Sequence, residues 1–180
     1  GRTGSEDLAN GFRLDFAYQI QVVGEHYLDM GLQADRGPSG TRDYLFRIEA
    51  IRLPEGQSFV HLTYAYSFNA MARFAMQTYL ATLGHDKVGF TRDPDALVAR
   101  EGFIGGLRAL VERNAMRYFL AIDAYLQTQN AESPAALRER RLLNWFDAAE
   151  EFARQLHEVD RATYLAMKQT QFRRQQELPE

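Results

Sequence analysis

An unusually clean two-residue period over the first 68 residues is the feature that most constrains this chain. In FRLDFAYQIQVV, Phe12, Leu14, Phe16, Tyr18, Ile20 and Val22 alternate with Arg13, Asp15, Ala17, Gln19 and Gln21. YLDMGLQA sets Leu28, Met30, Leu32 and Ala34 against Tyr27, Asp29, Gly31 and Gln33. The pattern returns at Tyr44, Phe46, Ile48 and Ala50, and again at Val60, Leu62, Tyr64, Tyr66 and Phe68. Neighbouring side chains of a strand leave opposite faces, so each run predicts a strand with one apolar and one polar side. The joints carry turn residues (Gly24, GPSG, PEGQ) and are short, which predicts an antiparallel meander over 12–68 with one wet face.

From Asn69 the period becomes 3.6. Met71, Phe74, Ala75, Tyr79 and Leu83 predict a helix closed by Gly84. KVGFT, residues 87–91, reads as a short strand or an ordered loop. Asp93-Pro94 is a capping Asp with Pro at the first helical position and predicts a small helix ending near Gly102. A long helix follows from about Leu107 to Thr128, spanning roughly 33 Å at 1.5 Å per residue. Ser133-Pro134 opens the last helical region. No Gly or Pro occurs from Ala135 to Leu178, so a bend or fraying is expected rather than a hard stop. Strands first and helices after predict a single α+β domain over 1–180, with the meander at 12–68, a mainly helical part at 69–180, and long C-terminal helices packed on one sheet face.

Composition removes several function classes. The formal net charge is −3 and the arginines are interleaved with acids, so no nucleic-acid partner is expected. No stretch approaches the ~20 consecutive apolar residues of a membrane helix, and an integral membrane protein is not expected. The absence of cysteine excludes disulfides, cysteine-ligated zinc and a cysteine nucleophile. His26, His61, His85 and His157 share no ligand spacing, and no G-x-S-x-G, phosphate-loop or dinucleotide fingerprint occurs. No metal, cofactor or catalytic residue is therefore assigned. The chain opens on a polar GRTGSEDLANG with no visible signal peptide, and localisation is not readable from the residues.

The candidate site comes from VERNAMRYFLAIDAYL, residues 111–126. Leu107, Leu110, Val111, Tyr118, Ile122 and Tyr125 fall along one side of the long helix. Glu112, Arg113, Met116, Leu120 and Asp123 can then form a wet outer side. Alternatively, Arg113 and Arg117, four apart, with Asn114 beside them, form an anionic head-group site at the edge of an apolar cavity. Tyr18, Tyr44, Tyr64 and Tyr66 on the aromatic strand face would each need a hydroxyl partner if buried, which suits a pocket with polar spots. These seven residues are the predicted ligand-binding set, for a hydrophobic or amphipathic small molecule, lipid-like, held between sheet and helix. The rival reading is a protein–protein interaction or self-association module without a cavity, giving a homo-oligomer through the C-terminal helices with Trp145 and Phe152. A third uses the polar strand face, with His61 beside Asp43 or Glu49 as a catalytic pair, and stands against a simple solvated face of cross-strand charges.

The meander of Phe12–Phe68 with a long helix, Leu107–Thr128 or the one after it, resembles the helix-grip fold of START-like proteins, which bind lipids and other hydrophobic ligands between sheet and helix. GTRDY (40–44), KVGFT (87–91), ERNAMRY (112–118) and RQLHEVDRATYLAMK (154–168) resemble segments of an uncharacterised family of exported proteobacterial proteins. That resemblance implies a periplasmic or secreted setting and transfers no catalytic residue. The chain departs from the START-like pattern in lacking a preceding strand and small helices and in inserting the helix at 70–83. Two explanations follow: the chain is the C-terminal portion of a longer protein, which is the favoured expectation, or the fold is a different one.

Overall fold

The computed structural model describes residues 14–82, 84–96, 101–129 and 133–177. Strands β1 (Ala17–Val23), β2 (Tyr27–Arg36), β3 (Thr41–Arg52) and β4 (Ser58–Phe68) form one antiparallel sheet in the order β1-β2-β3-β4. Helices α1 (Ala70–Ala81), α2 (Gly106–Leu126), α3 (Pro134–Glu150), the single turn α4 (Ala153–Leu156) and α5 (Arg161–Glu177) follow. The class is α+β, an antiparallel meander and then helices. Phe12 and Arg13, Leu83, and most of the small helix expected before Gly102 lie outside the described residues.

The chain divides into two compact units within α2, one of Phe12–Ala115 and one carrying Met116–Glu180. In the first, the register reproduces the alternation of the sequence. Tyr18, Leu32, Phe46 and Tyr64 line up across the four strands, as do Ile20, Met30, Ile48 and Leu62. Aromatic rings zip this face together: Phe46 meets Tyr64 at 4.7 Å between centroids, and Tyr44 stacks on Tyr66 at 5.3 Å. Such pairs contribute roughly 0.5–1.5 kcal/mol each beyond the area they cover.

One position breaks the period. A bulge between Ile20 and Val22 pairs Val22 with Asp29 and Val23 with Leu28. The extra residue, Gln21, transfers Val22 to the polar side and brings Val23 to the apolar side, the reverse of what strict alternation predicts. A second irregularity, between Arg42 and Leu45 on β3, contains Asp43 at φ 53°, a left-handed conformation tolerated by Asp.

The turn before β3 fixes the entry to α1. Gly40 has φ 78°, and a Cβ there would lie 2.4 Å from the Asn69 amide nitrogen. Its carbonyl accepts from Asn69 N at 3.1 Å, while the Asn69 side chain caps α1 by accepting from Ala72 N at 2.7 Å. Beyond α1, Val88, Ile104 and Ala109 are buried. KVGFT is an ordered loop: Gly89 N donates to Ile104 O at 2.9 Å and Ile104 N to Thr91 O at 3.0 Å.

Glu112 fastens that loop to α2. Its carboxylate accepts from Phe90 N at 2.7 Å, Thr91 N at 3.0 Å and the Thr91 hydroxyl at 2.6 Å. Burial alone would raise its pKa, but these hydrogen bonds and the Arg108 charge outweigh burial and hold it below the ordinary glutamate value. Gly89 is required for the approach, because a Cβ there would lie 2.5 Å from a Glu112 oxygen.

The buried stripe of α2 differs from the one its hydrophobicity predicts. Ala109, Arg113, Leu120 and Ala124 are buried, whereas Tyr118, Phe119 and Tyr125 are 40–50% exposed. Arg113 and Leu120 are thus not on a wet outer side. Small side chains permit close approach where the large rings do not fit.

In the second unit the last helical region breaks rather than bends. α3 ends at Glu150, and α5 restarts at Arg161 under a new cap: Asp160 accepts from Thr163 N at 3.0 Å and from its hydroxyl at 2.6 Å. Those bonds from Thr163 pull the Asp160 carboxyl below its usual range.

A candidate ligand-binding cleft

Residues 116–126 of α2, together with α3 and α5, surround a cleft of about 770 Å³, inside the ~300–1,000 Å³ range of small-molecule pockets. Its lining is mainly apolar: Ala121, Ala124, Leu142, Val159 and Met167, with Trp145 and Tyr164. The space exists because α2 presents alanines where its neighbours carry larger groups.

Aromatic packing holds the walls. Trp145 stacks on Tyr164 at 5.2 Å and 19°, Phe146 meets the same ring at 5.3 Å, and the Trp145 indole N–H donates to Arg117 O at 3.0 Å. Tyr164 is buried, and burial pushes its hydroxyl pKa up to about 12, so it is neutral throughout the physiological range. Burial also pulls the Lys168 ammonium below the usual lysine value.

The cationic lining residues differ in their partners. Arg117 pairs with Glu158 at 2.8 Å. Arg141 lies over the Tyr125 ring at 4.0 Å and donates to the Thr128 hydroxyl at 3.1 Å. Lys168 Nζ donates to Gln171 Oε1 at 3.2 Å.

The residues expected to bind ligand fall into two groups. Arg117 lines this cleft, as one half of an ion pair. Arg113 is buried and Asn114 partly buried in the other unit. Tyr44, Tyr64 and Tyr66 lie together on the apolar sheet face, and the Tyr44 hydroxyl donates to Thr41 at 2.7 Å. Tyr18 is 56% exposed on the edge strand β1. Arg141, Lys168, Trp145 and Tyr164 enter the site without having been singled out as ligands, because only the register of α3 against α5 brings them together.

The polar strand face forms a closed network. Asp29 is held by two Arg47 bonds, at 2.9 and 2.7 Å, and Arg47 also reaches Glu49 at 3.2 Å. Glu49 accepts from the Tyr27 hydroxyl at 2.9 Å and meets His61 Nδ1 at 3.3 Å. The Arg47 bond pulls Asp29 below its ordinary pKa, and Tyr27 and then His61 do the same for Glu49. Asp43, six residues from Glu49 along β3 and so roughly 20 Å away, pairs instead with its neighbour Arg42. His61 and Glu49 are adjacent, but the carboxylate also serves Tyr27 and Arg47.

Among the described residues no group of three or more His, Asp or Glu could hold a metal ion, and no helix is long and apolar enough to cross a membrane. Comparisons with protein-family models, with curated proteins and with solved structures each find no match.

Proposed function

We propose that the chain binds a hydrophobic or amphipathic small molecule in the cleft of its C-terminal helices. The supporting observation is a pocket-sized, mainly apolar space braced by the Trp145–Tyr164 stack and floored by Ala121 and Ala124. Trp145 is the only tryptophan, so its emission reports on the cleft directly. Titration with dodecanol, a neutral apolar probe, should produce a saturable change in that emission, and Ala121→Phe, which fills the space, should abolish it while leaving the far-UV spectrum intact. A wild-type protein unresponsive up to the solubility limit of the probe would overturn the reading.

A second reading, self-association, is favoured by a different surface. Met71 and Phe74, three apart on α1, are 81% and 72% exposed. Trp145, expected to serve a partner, is turned into the cleft and engaged there. Light scattering that shows a concentration-dependent mass, lost in Met71→Glu/Phe74→Glu, would support this reading; a constant monomer mass would remove it.

A further inference from the structure

α3 and α5 run antiparallel, and three contacts set their register. The Arg138 guanidinium covers the Phe172 ring at 3.6 Å, Trp145 stacks on Tyr164, and Arg161 pairs with Asp147. Going from Trp145 back to Arg138 along α3 accompanies going from Tyr164 forward to Phe172 along α5. Arg141, four before Trp145, shares its face, and Lys168, four after Tyr164, shares that ring's face. Positions 141 and 168 therefore face one another on the two helices, one helical turn beyond the aromatic stack. Both line the cleft.

A cation beside an apolar space is poorly solvated unless something neutralises it. Among the described residues neither Arg141 nor Lys168 has a carboxylate partner; their polar contacts are the Thr128 hydroxyl and the Gln171 amide. The acid in the lining, Glu158, is on the chain leading into α5, ten residues before Lys168, and pairs with Arg117. The cleft is thus polarised, with a neutralised ion pair at one end, Ala121, Leu142 and Met167 in the lining, and an excess of positive charge at the Arg141–Lys168 end.

We propose that the cleft selects anionic amphiphiles, with a carboxylate head group bridging Arg141 and Lys168 and an apolar chain lying along the alanine floor. This rests on the binding reading above and specifies its ligand class. A carboxylate accepts from both cations at once, and each charge-assisted bond is stronger than the neutral contacts these side chains now make. Lys168 is one of only two lysines in a chain otherwise supplied with arginine. Its flexible stem lets the ammonium follow the head group while Arg141 stays fixed on Tyr125.

The test compares dodecanoate, dodecanol and dodecyltrimethylammonium by Trp145 emission, below their micelle concentrations, on the whole chain. The wild type should bind the acid about tenfold or more tighter than the alcohol, and the cation more weakly than either. Lys168→Met keeps the apolar length and should remove the preference for the acid over the alcohol. Raised salt should weaken only the acid. Equal affinity for all three probes would overturn the head-group assignment yet leave the binding reading standing, whereas no response to any of them would overturn both. If Lys168→Met does not fold, the ranking of the three probes on the wild type decides alone. A dodecyl phosphate that binds while dodecanoate does not would replace the carboxylate by a phosphate monoester and overturn the assignment as stated.

Discussion

The polar face of the sheet and the cleft of the C-terminal helices treat charge in opposite ways. On the sheet, Asp29, Arg47, Glu49, Tyr27 and His61 satisfy one another, and each acid in the group is pulled below its usual pKa by a neighbour on an adjacent strand. Around the cleft, Arg117 has its acid, while Arg141 and Lys168 are held by neutral groups. A closed network stabilises the fold and has no valence left for a ligand. An open one gives up some stability and keeps the valence. What separates structural charge from candidate functional charge here is therefore the partner set, since both regions are rich in ionisable side chains.

Substitutions can break that contrast. The largest effect is expected from Tyr164→Ala, which removes the ring shared by Trp145 and Phe146. It should cost about 3 kcal/mol, read as an earlier denaturation midpoint by Trp145 emission. Strand amides of β2 and β3 should keep their hydrogen-exchange protection; loss of protection in both places would mean the two units do not unfold separately.

Next comes the clasp. Glu112→Ala removes three hydrogen bonds to the KVGFT loop and should cost about 2 kcal/mol, with the amides of Phe90 and Thr91 losing exchange protection first. The same clasp has a pH signature. Because the folded Glu112 pKa is lowered, its contribution is complete above the ordinary glutamate value of 4.5 and is lost as pH falls through the lower folded value. Protection of Phe90 and Thr91 should accordingly fall in acid, and an unchanged profile in wild type would contradict the assigned bonds. The smallest effect belongs to His61→Ala. At 59% side-chain exposure it should leave the melting temperature unmoved within error, and a large drop would show that the sheet network depends on it.

Much of this architecture was legible in the residues, though not all of it for the same reason. The strands and their order follow from period two, because one slip would turn an entire apolar row into solvent. The bulge at Gln21 left no such mark, since Val22 and Val23 satisfy either parity. Helix α1 was marked by Asn69. The start of α5 carries a mark as well, Asp160 with Thr163 three residues on, but without the Gly or Pro that would set it apart from continuous helix. The orientation of α2 was misread for a physical reason: hydrophobicity ranks Tyr118 and Tyr125 as core, whereas packing selected Ala109 and Ala124 for closeness. Within the candidate site, Arg117 is a residue the sequence singles out, although for a cavity between sheet and helix rather than for this cleft. Arg141 and Lys168 are not singled out, because they lie far apart in sequence and meet only through the α3–α5 register.

The bulge in β1 has a consequence for how the sheet meets other chains. By inserting Gln21 it divides the outermost strand into two short ladders that are out of phase with each other. A second strand approaching from outside could match its side chains to one ladder or the other, but not to both without a bulge of its own. The irregularity thus acts as a stop against strand-by-strand growth along an edge that carries Tyr18, Ile20 and Val23 in the open. Deleting that single residue would restore a continuous template, and the expected phenotype is fibrous aggregation rather than unfolding.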